Sequence, residues 1–199
     1  YMIFKRLKYF IFIFIFIVSF SNFSFAADIP NIASEAAILI DSSEEKVLYS
    51  KNEDQKMYPA SITKIMTAII TIENGNLNDV VTVPSDAVNS IPAAYAIRDL
   101  KPGEKLTVNQ LLQVLMVHSA NDAANVLAFY ASGSIESFAE LMNKKCQELG
   151  LNNTHFVNPS GMHNENHYST ARDIAVLMKY CMENVTFRRL ASLKSCTIP

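Results

Sequence analysis

Tyr58-Pro59-Ala60-Ser61-Ile62-Thr63-Lys64-Ile65-Met66-Thr67 is the stretch on which the fold turns. Pro59 suits the entry of a helix and not its interior, so a helix is expected from about Ala60 or Ser61, with Ser61 in the first turn and Lys64 three residues on. At 3.6 residues per turn the two side chains lie roughly 60° apart on one face, beside an apolar stripe of Ile62, Ile65, Met66, Ile69 and Ile70. A serine hydroxyl is a poor nucleophile until a base takes its proton, and a lysine in a partly desolvated pocket can be neutral enough to do so. S-x-x-K also occurs at Ser43-Glu44-Glu45-Lys46, and S-x-N at Ser50-Lys51-Asn52. Those copies sit in a polar hairpin turn and a charged loop, without a buried scaffold. The bland alternative for Ser61 and Lys64 is a capping serine beside a solvated lysine.

Upstream, Lys5, Arg6 and Lys8 precede the apolar run Tyr9 to Val18, and Ser24-Phe25-Ala26 offers a small-x-small cleavage site. This pattern reads as a secretory signal peptide over 1–26, with a mature catalytic domain over 27–199. An uncleaved anchor is the alternative, although the clean apolar core is shorter than the ~18 residues of a usual span. Tyr1 stands before Met2. The rest is long enough for a real core, and a net charge of −2 without a basic run gives no reason to expect nucleic acid. Cys146, Cys181 and Cys196 are odd in number, widely spaced and match no zinc pattern, so buried free thiols are expected.

The patterns Ala36 to Ile40 and Lys46 to Ser50 flank a polar turn and read as a β-hairpin, with short β-like pieces at 80–83 and 105–107. A lone hairpin is marginal in water, so it must pack on helices or find strands beyond Pro199. The Ser61 helix is expected to end near Glu73, with Asn74-Gly75-Asn76 supplying a left-handed cap. Thr107-Val108-Asn109-Gln110 has the form of a capping box opening a helix that is apolar nearly all round, hence buried. His118-Ser119-Ala120-Asn121-Asp122 breaks that helix before another resumes over 123–131. Polar side chains at the end of a buried helix either satisfy the turn or line a site; Asp122 reads as an N-cap. Further helices are expected over 135–149, closed by Gly150, and over 171–183, capped by Thr170. Between them, 151–169 is a long polar loop with Asn158-Pro159-Ser160-Gly161 as a type I turn. His163 and His167 are four apart, but the loop context favours solvation or packing over metal binding. Arg98 to Gly103 reads as an ordinary polar connection.

The ordered set Pro59-Ala60-Ser61-Ile62-Thr63-Lys64, Leu106-Thr107, Ser119-Ala120-Asn121-Asp122, Asn153-Thr154-His155-Phe156, Asn158-Pro159-Ser160-Gly161 and Tyr168-Ser169-Thr170-Ala171-Arg172-Asp173 resembles the serine D-alanyl-D-alanine carboxypeptidases among the low-molecular-mass penicillin-binding proteins. The likeness runs from about Ser34 to Pro199. It implies an α/β (α+β) transpeptidase fold like that of penicillin-binding proteins and β-lactamases, with an antiparallel sheet flanked by helices and a helical subdomain. It also implies acyl transfer, without cofactor or metal, on peptidoglycan stem peptides by an exported enzyme at the extracytoplasmic face of the cell membrane or in the cell wall. Ser61 would attack the bond between two terminal D-alanines, with Lys64 as its base, Ser119 relaying the proton and Asn121 binding the peptide and Lys64. β-Lactams would acylate the same serine.

Two departures stand out. Ala120 occupies a position where the family often has Gly or Asp. No Lys-Thr-Gly occurs, and no glycine follows Gly161. In the family that motif lies on a strand supplying a cation and an oxyanion donor, so the chain is expected to stop short of the last sheet strands. On that expectation residues 27–199 alone would fold and bind penicillin poorly, and a membrane-attaching tail beyond Pro199 stays open. A serine β-lactamase would need an E-x-x-L-N-type loop, which Glu165-Asn166-His167-Tyr168 does not match. A non-catalytic relative that binds wall peptide is the third alternative.

Overall fold

The computed structural model describes residues 32–43, 46–89, 91, 92, 95 and 97–198. The chain parses into Tyr1–Ala33 and Ser34–Pro199. The signal peptide expected over 1–26 lies outside the described residues, and every described helix and strand belongs to the second unit.

The hairpin forms as expected. β1 (Ala37–Asp41) pairs antiparallel with β2 (Lys46–Lys51), with an irregularity between Leu39 and Ile40. Leu39, Val47 and Leu48 are each more than two-fifths exposed, so the hairpin carries apolar side chains into solvent. Among the described residues no third strand joins it, and it packs on the helix α6 (Ala171–Glu183). A second ladder joins β3 (Val80–Thr82) to β4 (Lys105–Thr107), burying Val81 opposite Leu106.

The helix of the opening stretch is built differently from expectation. Ala60–Thr63 is a 3₁₀ turn, and α1 (Lys64–Asn74) begins at the lysine. Ser61 therefore stands outside the α-helix and is exposed, while Lys64 is its first, buried residue. Ala60 has φ +47°, a conformation an L side chain enters only at a cost of about 1–2 kcal/mol. The apolar stripe also changes: Ile62 is 48% exposed, whereas Thr63, Met66, Thr67, Ala68, Ile69, Ile70 and Thr71 are all buried. α1 is surrounded on nearly every side, touching the helices over 108–118, 121–132, 135–149, 171–183 and 185–191. Its buried threonines are satisfied, Thr71 Oγ1 donating to the Thr67 carbonyl at 2.8 Å and Thr67 Oγ1 to the Pro159 carbonyl at 2.6 Å.

Gly75 closes α1, but its φ of −118° is not left-handed as expected. Glycine is needed there for room, since a Cβ would meet the Tyr130 ring at 2.7 Å and the Thr71 carbonyl oxygen at 2.9 Å. The Thr107–Gln110 capping box opens α3 (Val108–His118) with both reciprocal bonds made. Ser119 takes φ +55° and turns the chain into α4 (Asn121–Ser132), whose first eight residues are buried. α5 (Ile135–Leu149), capped by Ser134 and closed by left-handed Gly150, and α6, capped by Thr170, form where expected. Two short helices carried no clear pattern: α2 (Ser85–Asn89) and α7 (Val185–Ala191), the latter capped by Asn184.

Asp122 is not an N-cap. It lies in the first turn of α4, where Ala120 is the cap. Its carboxylate accepts from the backbone N–H groups of Arg98, Leu100 and Ala123 at 2.9–3.0 Å, fastening the 98–100 segment to α4. The connection read as ordinary is therefore anchored, with Leu100 buried. Cys146 and Cys181 are buried free thiols pushed up to about 12 by burial, which makes them inert; Cys196 is half-buried and free. Among the described residues no helix is long and apolar enough to cross a membrane.

Candidate active site

The 3₁₀ turn brings Ser61 and Lys64 into contact more directly than an α-turn would, because its three-residue repeat eclipses i and i+3. Lys64 Nζ lies 3.2 Å from Ser61 Oγ. The same amine donates to the Ser160 carbonyl at 2.7 Å. Burial is what moves this lysine: desolvation disfavours the ammonium and lowers its pKa to about 8. A neutral amine has two N–H bonds and one lone pair. With one N–H spent on Ser160, the lone pair is free to turn towards the serine hydroxyl.

That carbonyl comes from the long loop, and Asn158 aims it. Asn158 Oδ1 accepts from the N–H groups of Ser160, Gly161 and Met162 and from Ser160 Oγ, while Nδ2 donates to the Met162 carbonyl. Gly161, at φ +83°, lets this loop approach the 60–63 turn: a Cβ there would fall 1.8 Å from the Ala60 carbonyl oxygen. Only glycine fits such an approach. The ends of the loop are pinned by the Met57–Ser169 and His155–Tyr168 bridges and by Asn143, which bonds both backbone groups of Phe156.

Ser119 reaches the site from the α3–α4 junction. With Ser61, Ile62, Lys64, Ile65, Leu115 and Met116 it lines an open pocket of about 330 Å³. Three of the four candidate residues thus meet in one place. Asn121, the fourth, is buried at the head of α4 two residues beyond Ser119 and is not in the pocket's lining. The rival copies stay apart: Ser43 Oγ bonds Asp41 in the hairpin turn, and Asn52 Nδ2 donates to the Glu35 carbonyl.

Ser160, Asn158 and Gly161, which read from sequence as an ordinary turn, are also part of the candidate site's geometry. Asn-Pro-Ser-Gly does mark a turn, but nothing in it says which carbonyl faces a lysine 96 positions away. His167 is buried, bonded through Nε2 to Thr63 Oγ1 at 2.8 Å and through Nδ1 to the Val157 N–H at 3.2 Å. Of the two fates expected for it, packing in the loop is the one found. Among the described residues no group of three or more His, Cys, Asp or Glu side chains is placed to hold a metal ion.

Comparison with known proteins places this geometry in a lineage. Residues 23–197 match the model of the Peptidase S11 family, described as D-alanyl-D-alanine carboxypeptidase. The chain is 38% identical over 185 residues to the D-alanyl-D-alanine carboxypeptidase DacF of Bacillus subtilis, covering 88% of this chain and 47% of that one. It is 37% identical over 183 residues to the D-alanyl-D-alanine carboxypeptidase of Streptomyces sp. strain K15, covering 84% and 61%. Among solved structures, penicillin-binding protein 6B from Escherichia coli superposes with a TM-score of 0.81 at 32% identity, over 89% of this chain and 59% of that one. A Streptomyces K15 DD-transpeptidase mutant does so with a TM-score of 0.77 at 34% identity, over 81% and 66%. The chain spans about half the length of the first of these relatives. The fold is accordingly that of penicillin-binding proteins, a helix-rich mixed α/β structure. The chain belongs to the Peptidase S11 family of D-alanyl-D-alanine carboxypeptidases.

Proposed function

We propose that this chain carries the nucleophile and base of a serine D-alanyl-D-alanine carboxypeptidase acting on peptidoglycan stem pentapeptides. The observation that carries this is the buried Lys64 amine, held by Ser160 and set 3.2 Å from the exposed Ser61 hydroxyl. Neutral Lys64 takes the Ser61 proton as Oγ attacks the carbonyl between the terminal D-alanines, and the Ser61 backbone N–H stabilises the oxyanion. Collapse breaks the peptide C–N bond. The proton passes from Lys64 through Ser119 to the leaving amine, D-alanine departs, and an ester remains on Ser61. Water then hydrolyses the ester and restores the serine. Asn121 is assigned to peptide binding, and no metal or cofactor is assigned a part.

β-Lactams, being cyclic amides, would acylate the same oxygen. The leader over 1–26, with a mature domain over 27–199, would deliver the enzyme outside the cytoplasm, where this substrate lies; attachment to the membrane through further chain is part of the same proposal. The test is incubation with labelled penicillin followed by peptide mapping, then assay of D-alanine release from a pentapeptide. A slow adduct on the Ser61 peptide, absent in Ser61→Ala, is expected. An adduct elsewhere, or one that survives Ser61→Ala, would sink the assignment, and penicillin turnover without D-alanine release would point to a β-lactamase.

A further inference from the structure

Two pieces of chain far apart in sequence must meet in register for the candidate site to exist: the turn 60–64 and the loop 157–161. On one side of Lys64 they are joined by Thr67 and the Pro159 carbonyl. On the other side the junction is His167, a residue 104 positions from its partner Thr63. The ring is 2% exposed and lies edge-on to Phe156, with centroids 5.3 Å apart. Its own backbone N–H is tied to the Asn164 carbonyl at 2.9 Å, so the ring is held from both its main chain and its edge.

The tautomer follows from the partners. A backbone N–H can only donate, so Nδ1 facing Val157 is the bare acceptor, and the single proton of a neutral imidazole sits on Nε2 and is donated to Thr63 Oγ1. An imidazolium would set two N–H groups against each other at Val157. Burial and the neighbouring His155 both push this histidine down to about 4, in keeping with a ring that stays neutral. Few side chains could serve here. Lysine and arginine have no acceptor, and phenylalanine has neither donor nor acceptor; glutamine has both, on a looser stem.

Thr63 lies between Ser61 and Lys64 in the 3₁₀ turn and is fully buried. Val157 precedes Asn158, the residue that aims the Ser160 carbonyl. We propose that His167 is a positioning residue for the Ser61–Lys64 pair: by joining Thr63 to Val157 it fixes the spacing between the nucleophile's turn and the loop whose Ser160 carbonyl orients the lysine amine. This rests on the proposed function for its catalytic meaning, but the geometric claim can be tested without turnover.

The chain is labelled with ¹³C at lysine Cε, and the Lys64 resonance is assigned by its loss in Lys64→Met. The midpoint of Lys64 is then read by pH titration in wild type, His167→Phe, His167→Gln and Thr63→Val. Loss of both ring bonds in His167→Phe is expected to let the loop drift and water reach Lys64, raising its midpoint by about one unit or more. His167→Gln, which can donate to Thr63 and accept from Val157, should stay within a few tenths of wild type. Ser61 acylation by labelled penicillin should fall roughly tenfold or more in His167→Phe, since small misplacements of reacting groups are costly, and should be largely kept in His167→Gln. If His167→Phe gives no cooperative melt, Thr63→Val carries the comparison, because it removes only the hydroxyl. An unchanged Lys64 midpoint in the folded variants would overturn the proposal, as would a His167→Gln protein as impaired as His167→Phe. A fall in melting temperature alone, with Lys64 unmoved, would reduce His167 to a packing residue. Failure of wild type to acquire label at Ser61 would strike the proposed function and leave the Lys64 titration decisive here.

Discussion

If neutral Lys64 is the base, the rate of Ser61 acylation must follow the fraction of amine that has lost its proton. With a midpoint of about 8, that fraction is about 9% at pH 7, half at pH 8 and about 91% at pH 9. The rate constant should therefore rise about tenfold from pH 7 to pH 9 and then level off. A lysine at its ordinary value of 10.5 would behave differently: its neutral fraction climbs about a hundredfold over the same range and is still rising at pH 9. The two cases differ in both amplitude and curvature. The assay is a time course of labelling with fluorescent penicillin at a series of pH values from 6 to 9.5, at fixed ionic strength, with circular dichroism at each pH to verify the fold. Lys64→Arg is the control, since guanidinium holds its proton throughout and should abolish the plateau together with most of the rate. A rate that is flat across the range, or one that climbs with unit slope through pH 9.5, would refute the assignment of a desolvated Lys64 as the base.

Three further outcomes are expected. Gly161→Ala should cost at least about 3 kcal/mol in urea unfolding and suppress acylation, because its Cβ would fall 1.8 Å from the Ala60 carbonyl oxygen at a φ of +83°; a near-neutral change would mean that the two segments are not packed this closely. Asp122→Asn sets an NH₂ group among backbone N–H donors and should cost about 2–3 kcal/mol, with faster hydrogen exchange at the Arg98 and Leu100 amides; unchanged exchange would argue against the anchor. The third concerns His167. Its folded pKa, about 4, is below the ordinary 6.5, so the unfolded chain takes up this proton first as pH falls. The stability at stake is present above pH 6.5 and is lost between about 6.5 and 4, amounting to no more than about 3 kcal/mol. Denaturant melts at pH 7.5, 5.5 and 4 should show a steeper loss in wild type than in His167→Gln, and parallel losses would show that other groups cause the acid sensitivity.

Much was legible from local signals. The Thr107–Gln110 capping box, the Thr170 cap, the Gly150 closure and the hairpin pattern are short-range devices whose physics involves a few adjacent residues, and each appears where its residues stand. Misreadings came where a distant partner decides conformation. Gly75 is extended and not left-handed, and what requires glycine there is the Tyr130 ring, which leaves no room for a Cβ. Asp122 looked like a cap because its long-range partners, the Arg98 and Leu100 amides, leave no mark in its own neighbourhood. The 3₁₀ turn at 60–63 packs closely against Gly161, about a hundred positions on, a contact that leaves no mark in the local sequence.

By itself the sequence determined the candidate pair and its family: a serine and a lysine three residues apart at the entry to an apolar helix, followed in order by Ser119 and Asn121. That information is carried by spacing, which survives without coordinates because helical turns set i and i+3 side by side. Only the tertiary structure decided what fits the lysine for the proposed role of base. Its burial, the Ser160 carbonyl that holds it, and the His167 bridge that sets one loop against another are meetings of segments about a hundred residues apart. Desolvation belongs to a packed environment and to no residue taken alone, so it could be read only once the chain had closed on itself.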